Sequence, residues 1–307
     1  MAEDGLFEAP TFNVPDAPGP STLVDSGTMG PTGRPLPVFP EPLPVAPGRK
    51  HATIVSMCNQ KGGVGKTTTT INLGAALAEL GRSVLLVDFD PQGSLSVGLG
   101  VNPHTLNLSI YNLLLTRGID AMDVITQTSV EGLDVLPSNI DLSAAEVQLV
   151  SEVAREQTLL RVLSKLRPHY DFILIDCAPS LGLLTINALT ASDYVIMPLE
   201  CEFFALRGIA LLTDTISKVQ DRLNPDLQLL GILGTMYDAR TLHGREVLER
   251  VVQAFGDEVF HTVIRRTIKF PETTVAGEPI TTYATASPGA EAYRQLAREV
   301  LLRCQDQ

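Results

Sequence analysis

From residue 53 onward, short apolar runs alternate with longer stretches in which apolar positions recur every three or four residues. The runs at 53–58, 83–89, 133–136, 172–177, 194–198 and 229–236 read as strands. Phe172-Ile173-Leu174-Ile175 shows no polar alternation, which suits a strand covered on both faces. Helical periodicity fills 67–80, 142–166, 205–223, 245–255 and 289–303, and in the last of these Ala292, Leu296 and Val300 fall on one side. Strand–helix alternation of this kind predicts an α/β fold, a doubly wound, mostly parallel sheet with right-handed crossovers.

The first 50 residues carry neither period. They hold 11 of the chain's 21 prolines, a density that removes backbone donors and blocks helices and sheet ladders. The expected organisation is a disordered Pro-rich tail over 1–50 and one folded domain over 51–307. Within the tail, Pro35-Leu36-Pro37-Val38-Phe39-Pro40-Glu41-Pro42-Leu43-Pro44 favours an extended polyproline conformation. Leu36, Phe39 and Leu43 would be its anchors if it docks on another surface.

Composition agrees with a buried core: 44% of the 307 residues are hydrophobic and 19% charged. The formal net charge of −12 rules out a surface coated with positive charge, so any contact with nucleic acid must come from a local patch. The tail contributes six acids against three bases, so most of that negative charge belongs to the folded part. Cys58, Cys177, Cys201 and Cys304 form no C-x-x-C pair and read as structural thiols of a reducing compartment. No run approaches the length of a membrane span, and the N-terminus lacks a basic segment followed by an apolar one. A cytoplasmic location is the expectation.

Chemistry concentrates at the ends of the expected strands. Gly62, Gly63, Val64, Gly65, Lys66, Thr67 and Thr68 follow the first strand and open the first helix. Glycines there let the backbone wrap phosphates with its N–H groups inward, and the helix dipole adds positive charge at the same place. Lys66 would reach the β- and γ-phosphates, and Thr67 would offer its hydroxyl to Mg²⁺. Lys61, at the front of the loop, is a second cation that the cradle itself does not require. It reads either as a solvated lysine or as a group that stabilises the transferring phosphoryl.

Val87-Asp88-Phe89-Asp90 closes the second strand, and ligands of doubly wound sheets bind beyond the carboxyl ends of strands. Period-two alternation turns Asp88 and Asp90 the same way. Asp90 is the candidate for orienting an attacking water, and Asp88 for supporting the metal shell. Asp176, after four apolar strand residues, is the candidate holder of the magnesium waters. Pro179 then turns the chain into a loop over the site.

Taken together, Cys58-Asn59-Gln60-Lys61-Gly62-Gly63-Val64-Gly65-Lys66-Thr67-Thr68, Asp88-Phe89-Asp90-Pro91-Gln92-Gly93 and Asp176-Cys177-Ala178-Pro179-Ser180-Leu181-Gly182 resemble the deviant Walker A, and the motifs that accompany it, of the ParA family of partitioning ATPases. Pro137-Ser138-Asn139, Cys201-Glu202-Phe203-Phe204-Ala205-Leu206 and Thr235-Met236-Tyr237-Asp238-Ala239-Arg240 fit as well. The resemblance runs over about 54–302 and leaves the Pro-rich tail outside. It implies a P-loop NTPase that hydrolyses ATP with Mg²⁺, slowly without a partner. It also implies a Soj-like switch that closes into a dimer on ATP, binds DNA without sequence preference and is reset by a ParB-like protein. Lys61 matches the signature lysine that reaches the partner's nucleotide, Lys66 and Thr67 the Walker lysine and metal ligand, Asp90 the residue needed for hydrolysis, and Met236 the segment near the base.

The resemblance assigns DNA contacts to positions that carry Arg240, Arg266 and Lys269 here, with Arg265 adding a charge. Close relatives continue with Ser-Glu-Ala-Pro, whereas this chain has Pro271-Glu272-Thr273-Thr274. The basic residues read equally as a solvated face or as members of internal ion pairs. A nucleotide-gated scaffold for a condensin-type partner, with weak or no DNA binding, is therefore the alternative. A MinD-like membrane switch would need a basic amphipathic helix at the C-terminus, and Leu301-Leu302-Arg303-Cys304-Gln305-Asp306-Gln307 is too short and too weakly basic. A metal-cluster carrier would need a second thiol suitably spaced from Cys177.

Overall fold

A computed structural model of the chain describes residues 24–42, 51–202 and 205–304. The elements run β1 (Val24–Met29), β2 (Pro35–Val38), β3 (Thr53–Met57), α1 (Lys66–Glu79), β4 (Val84–Phe89), α2 (Ser94–Gly98), α3 (Ile110–Leu115), β5 (Thr126–Gln127), β6 (Leu133–Leu136), α4 (Leu142–Gln148) and α5 (Thr158–Leu166). They continue β7 (Phe172–Cys177), α6 (Leu183–Ala191), β8 (Tyr194–Glu200), α7 (Ala205–Arg222), β9 (Gln228–Thr235), α8 (Leu242–Phe255), α9 (Lys269–Ala276), α10 (Ile280–Tyr283) and α11 (Pro288–Arg303).

Seven strands form one sheet in the order β5-β6-β4-β7-β3-β8-β9. All pairs in it are parallel except the short β5 against β6. This is the doubly wound sheet the apolar runs predict. Alternate residues of each strand feed opposite layers, which is why the runs lack polar positions. In β3, Ile54 packs with Ile173, Val195, Leu163 and Ala188, whereas Val55 and Met57 pack with Leu174, Ile196, Leu73 and Tyr293. The strand order reverses between β3 and β4, with β7 between them, so the carboxyl ends of these three strands frame a crevice.

Three expectations are corrected. The helix expected over 142–166 is two, α4 and α5, because the chain turns between them through Ala154 in the left-handed region at φ 54°. Asn187 on α6 stitches that break, donating to the Arg155 carbonyl at 2.9 Å and accepting from the Leu159 amide at 3.1 Å. Next, α6 shows no helical stripe in the sequence because it is buried on nearly all sides, its Thr185, Asn187 and Thr190 included. Finally, part of the presumed disordered tail is ordered: β1 and β2 pair antiparallel. Arg34, in the turn between them, donates to the carbonyls of Gly256 at 3.0 Å and Val259 at 2.6 Å. Proline is tolerated in so short an exposed ribbon because half of its backbone groups have no ladder to join. Leu36 lines a small groove with His261, Val263 and Pro288, as a docking anchor would, whereas Leu43 lies outside the described residues.

Candidate functional site

The phosphate loop is built from the end of β3. Asn59 fixes its entrance, donating to the Pro198 carbonyl at 2.8 Å and accepting from the Lys61 amide at 2.9 Å. Gly63 and Gly65 have φ of 77° and 86°, the left-handed conformation that a side chain would strain. Gly65 is the N-cap of α1 and no side chain caps that helix, so the amides of its first turn face the crevice without a side-chain partner. Thr235 braces the far side of the loop, its hydroxyl donating to the Val64 carbonyl at 2.8 Å. Pro179 stands over Gly62, where an added Cβ would meet its ring at 3.9 Å. Lys66 is buried, and its ammonium donates to the Lys61 carbonyl at 3.1 Å, inside the curl of the loop. An anion entering there meets unsatisfied N–H groups, a helix dipole and one sequestered cation.

The structure brings Thr67 and Asp176 together. The Thr67 hydroxyl donates to Asp176 Oδ2 at 2.6 Å, and the other oxygen, Oδ1, is buried without a hydrogen-bond partner. Burial, and next the charge of neighbouring Asp88, push the Asp176 carboxyl well above its usual range. An orphaned, hard oxygen donor beside a hydroxyl is the donor set Mg²⁺ and its waters require, so the residues present fit that ion.

Asp88 and Asp90 do not share a face. β4 ends at Phe89, and Asp90 lies in the turn beyond it, accepting from the Gln92 amide at 2.9 Å. Asp88 is fully buried, in register with Asp176 on β7, and its Oδ2 accepts from the Ser96 amide at 2.8 Å and hydroxyl at 2.7 Å. Burial holds its pKa at about 6 despite these bonds. Asp88 therefore ties the start of α2 to the sheet and so shapes the loop that carries Asp90, beyond any service to a metal shell.

Gly65, Thr68, Met236, Arg240, Arg266 and Phe270 help to line a cavity of about 600 Å³ beside the loop. Met236 follows β9 with φ 51°, a backbone strained for a non-glycine residue and a feature of ligand clamps. The apolar wall from Ile264, Phe270 and Tyr293 was missed in the sequence, since these residues are contributed by separate segments after β9. Asn59 and Thr235 stand out in the sequence only as motif members, and their bracing role depends on strand order, which no spacing reveals.

Lys61 lies outside the cradle. Its ammonium donates to Glu200 Oε2 at 2.8 Å and Glu202 Oε2 at 2.9 Å. The basic residues expected at DNA are also paired: Arg240 with Asp238, Arg266 with Glu200, and Lys269 with Glu272. Arg240 and Arg266 border the cavity as well as solvent. Phe203 and Phe204 lie outside the described residues.

Comparison with known proteins agrees with this geometry. The AAA_31 family, described as an AAA domain, matches residues 52–229. An uncharacterised protein of Mycobacterium tuberculosis is 60% identical over 289 residues, covering 93% of this chain and 90% of that one. The sporulation initiation inhibitor protein Soj of Bacillus subtilis is 50% identical over 247 residues, covering 80% of this chain and 97% of Soj. A crystal structure of a protein named cobyrinic acid a,c-diamide synthase from Mycobacterium smegmatis, with bound ADP and magnesium, superimposes with a TM-score of 0.71 at 45% identity, covering 80% of this chain and 92% of that one. With a phosphate loop, a family model over more than half of its length and relatives at this identity, the chain belongs to the Soj/ParA family of chromosome-partitioning ATPases.

Proposed function

We propose that this ATPase is a dimerising switch for chromosome segregation or organisation, in which bound ATP lets two copies associate and hydrolysis separates them. The observation that carries this reading is the division of labour between two lysines. Lys66 is sequestered in the loop, whereas Lys61 stands outside it on the exposed rim, where a second subunit can be reached. ATP and Mg²⁺ are the cofactors. The ion would be held by Thr67 and, through water, by Asp176, and would screen the charge of the phosphates. The loop amides and Lys66 orient the β- and γ-phosphates, Asp90 positions water at the mouth of the crevice, and Met236 with Phe270 borders the base. Size-exclusion or sedimentation measurements test it: the wild type should dimerise only with ATP, and Lys61→Ala should bind ATP yet stay monomeric. An ATP-dependent dimer of Lys61→Ala would count against a cross-subunit role.

The expected targets of the dimer are non-specific DNA, through Arg240, Arg266 and Lys269, and a ParB-like regulator, which would bring it to the nucleoid. One observation favours the second reading, a nucleotide-gated scaffold for a condensin-type partner: each of those three basic residues is paired with an acid of its own chain. Salt-sensitive DNA binding that needs ATP and is lost in Arg266→Glu supports the first reading. A dimer that ignores DNA supports the second. A metal-cluster role finds no support, because Cys58 and Cys177 are buried. Among the described residues no helix is long and apolar enough to cross a membrane.

A further inference from the structure

Glu200 closes β8, the strand between the phosphate-loop strand β3 and the Thr235 strand β9. Its side chain is only 12% exposed, yet it accepts from two cations at once. Oε2 takes the Lys61 ammonium at 2.8 Å and Oε1 takes the Arg266 guanidinium at 3.2 Å. Glu202, with 53% of its side chain exposed, is the outer member of the cage around Lys61. Two of the three Lys61 donors are held by carboxylates of its own chain, so swinging the ammonium away toward a second subunit's nucleotide means breaking those bonds.

The geometry points to Glu200 as a positioning residue that acts through Lys61: a catch that holds the lysine back and raises the ATP occupancy and protein concentration needed for association. The inference rests on the cross-subunit reading of Lys61 above. If the reaching form of Lys61 is a minor population, the apparent dimer affinity is reduced by the fraction that is free. Arg266 makes the catch reversible. When Lys61 leaves, the largely buried carboxylate keeps one counter-charge and is not stranded, since leaving one member of such a group bare is costly. Glu200 thus decides how readily ATP binding becomes association, without touching the nucleotide.

Sedimentation velocity of the full chain with saturating ATP and Mg²⁺ tests this, with the thermal midpoint of the ligand-free protein as the control for folding. Glu200→Gln keeps the shape and removes the charge, and should lower the dimer dissociation constant by about 5- to 10-fold, the scale of a charge-assisted hydrogen bond. Glu202→Gln, at an exposed site, should change it by about 2-fold or less. Arg266→Gln should shift it the opposite way, and that shift should vanish in the Glu200→Gln background. An unchanged or weaker Glu200→Gln dimer, with an unchanged thermal midpoint, overturns the catch. If that variant is destabilised, Glu200→Asp, which retains the charge, must restore the wild-type constant, and its failure to do so is equally fatal. A wild type that dimerises with ATP and needs Lys61, but is insensitive to Glu200, sinks this inference alone. A wild type that never dimerises, or does so without Lys61, sinks the dimer reading and the catch with it.

Discussion

At the residue scale, one buried cation and three carboxylates make the site, and both kinds of charge yield predictions. Lys66 is a buried cation whose ammonium donates to a loop carbonyl, so Lys66→Ala leaves bound phosphate in a dry pocket without a counter-charge. Nucleotide affinity measured by calorimetry should fall by about 100-fold or more, the order expected when a buried ionic partner is removed. Asp90, outside the strand and half exposed, serves a later step. Asp90→Ala should keep ATP affinity within a few-fold while turnover falls by about 100-fold or more, and rapid phosphate release by that variant would refute its role. Asp88 and Asp176 oppose folding when ionised. Both carboxyls are raised by burial, Asp88 to about 6 and Asp176 higher. An unfolded aspartate titrates near about 4, so above that pH the folded chain binds more protons than the unfolded one. Stability of the ligand-free protein should therefore fall as pH rises from about 4 through 6 and beyond, by up to about 1.4 kcal/mol per pH unit for each proton involved. Mg²⁺ favours the ionised form of Asp176, so the thermal midpoint with ATP and Mg²⁺ should be less sensitive to pH, and equal slopes with and without them would rule this out.

At the element scale, the sequence was informative where a local rule suffices. The strands bearing Phe172 to Ile175 and Val84 to Val87 announce themselves by unbroken apolarity, and the loop from Gly62 to Thr68 by glycines followed by Lys and Thr. What stayed hidden depends on neighbours distant in sequence. The break at Ala154 is fixed by Asn187, the β1–β2 ribbon by Arg34 reaching the Gly256 and Val259 carbonyls, and the loop brace by Thr235, 171 residues from Val64. Gly231 is such a case. A Cβ there would meet the Glu258 carbonyl at 2.9 Å and the Phe260 ring at 2.6 Å, so β9 lies too close to the following segment for any side chain. Gly231→Ala should cost about 1–3 kcal/mol by calorimetry, because backbone on one side and a fully buried ring on the other must shift. A variant as stable as the wild type would mean that β9 and the 258–260 segment are free to separate.

At the scale of the whole molecule, the question is how a chain of net charge −12 would hold DNA. The long-range field repels phosphates, and the three candidate contacts are neutralised locally by Asp238, Glu200 and Glu272. The cations of these pairs face solvent, and the Asp238 and Glu272 pairs are worth roughly 0–1 kcal/mol each, so a polyanion can compete for them; Arg266, over the more buried Glu200, is the hardest to draw away. Association would double the patch to about six contacts. Counterion release then predicts that the logarithm of the DNA association constant falls with the logarithm of salt with a slope of about −5 for the ATP form, since each neutralised phosphate contributes about −0.9. Arg266→Glu removes the contact in both copies and should flatten that slope by about 2 while weakening binding on all sequences alike. Because the acidic field acts throughout, binding should be undetectable for the monomer at physiological salt and emerge only with ATP. A slope near zero, or binding indifferent to ATP, would leave Arg240, Arg266 and Lys269 as members of internal ion pairs and turn attention to a protein partner for the same face.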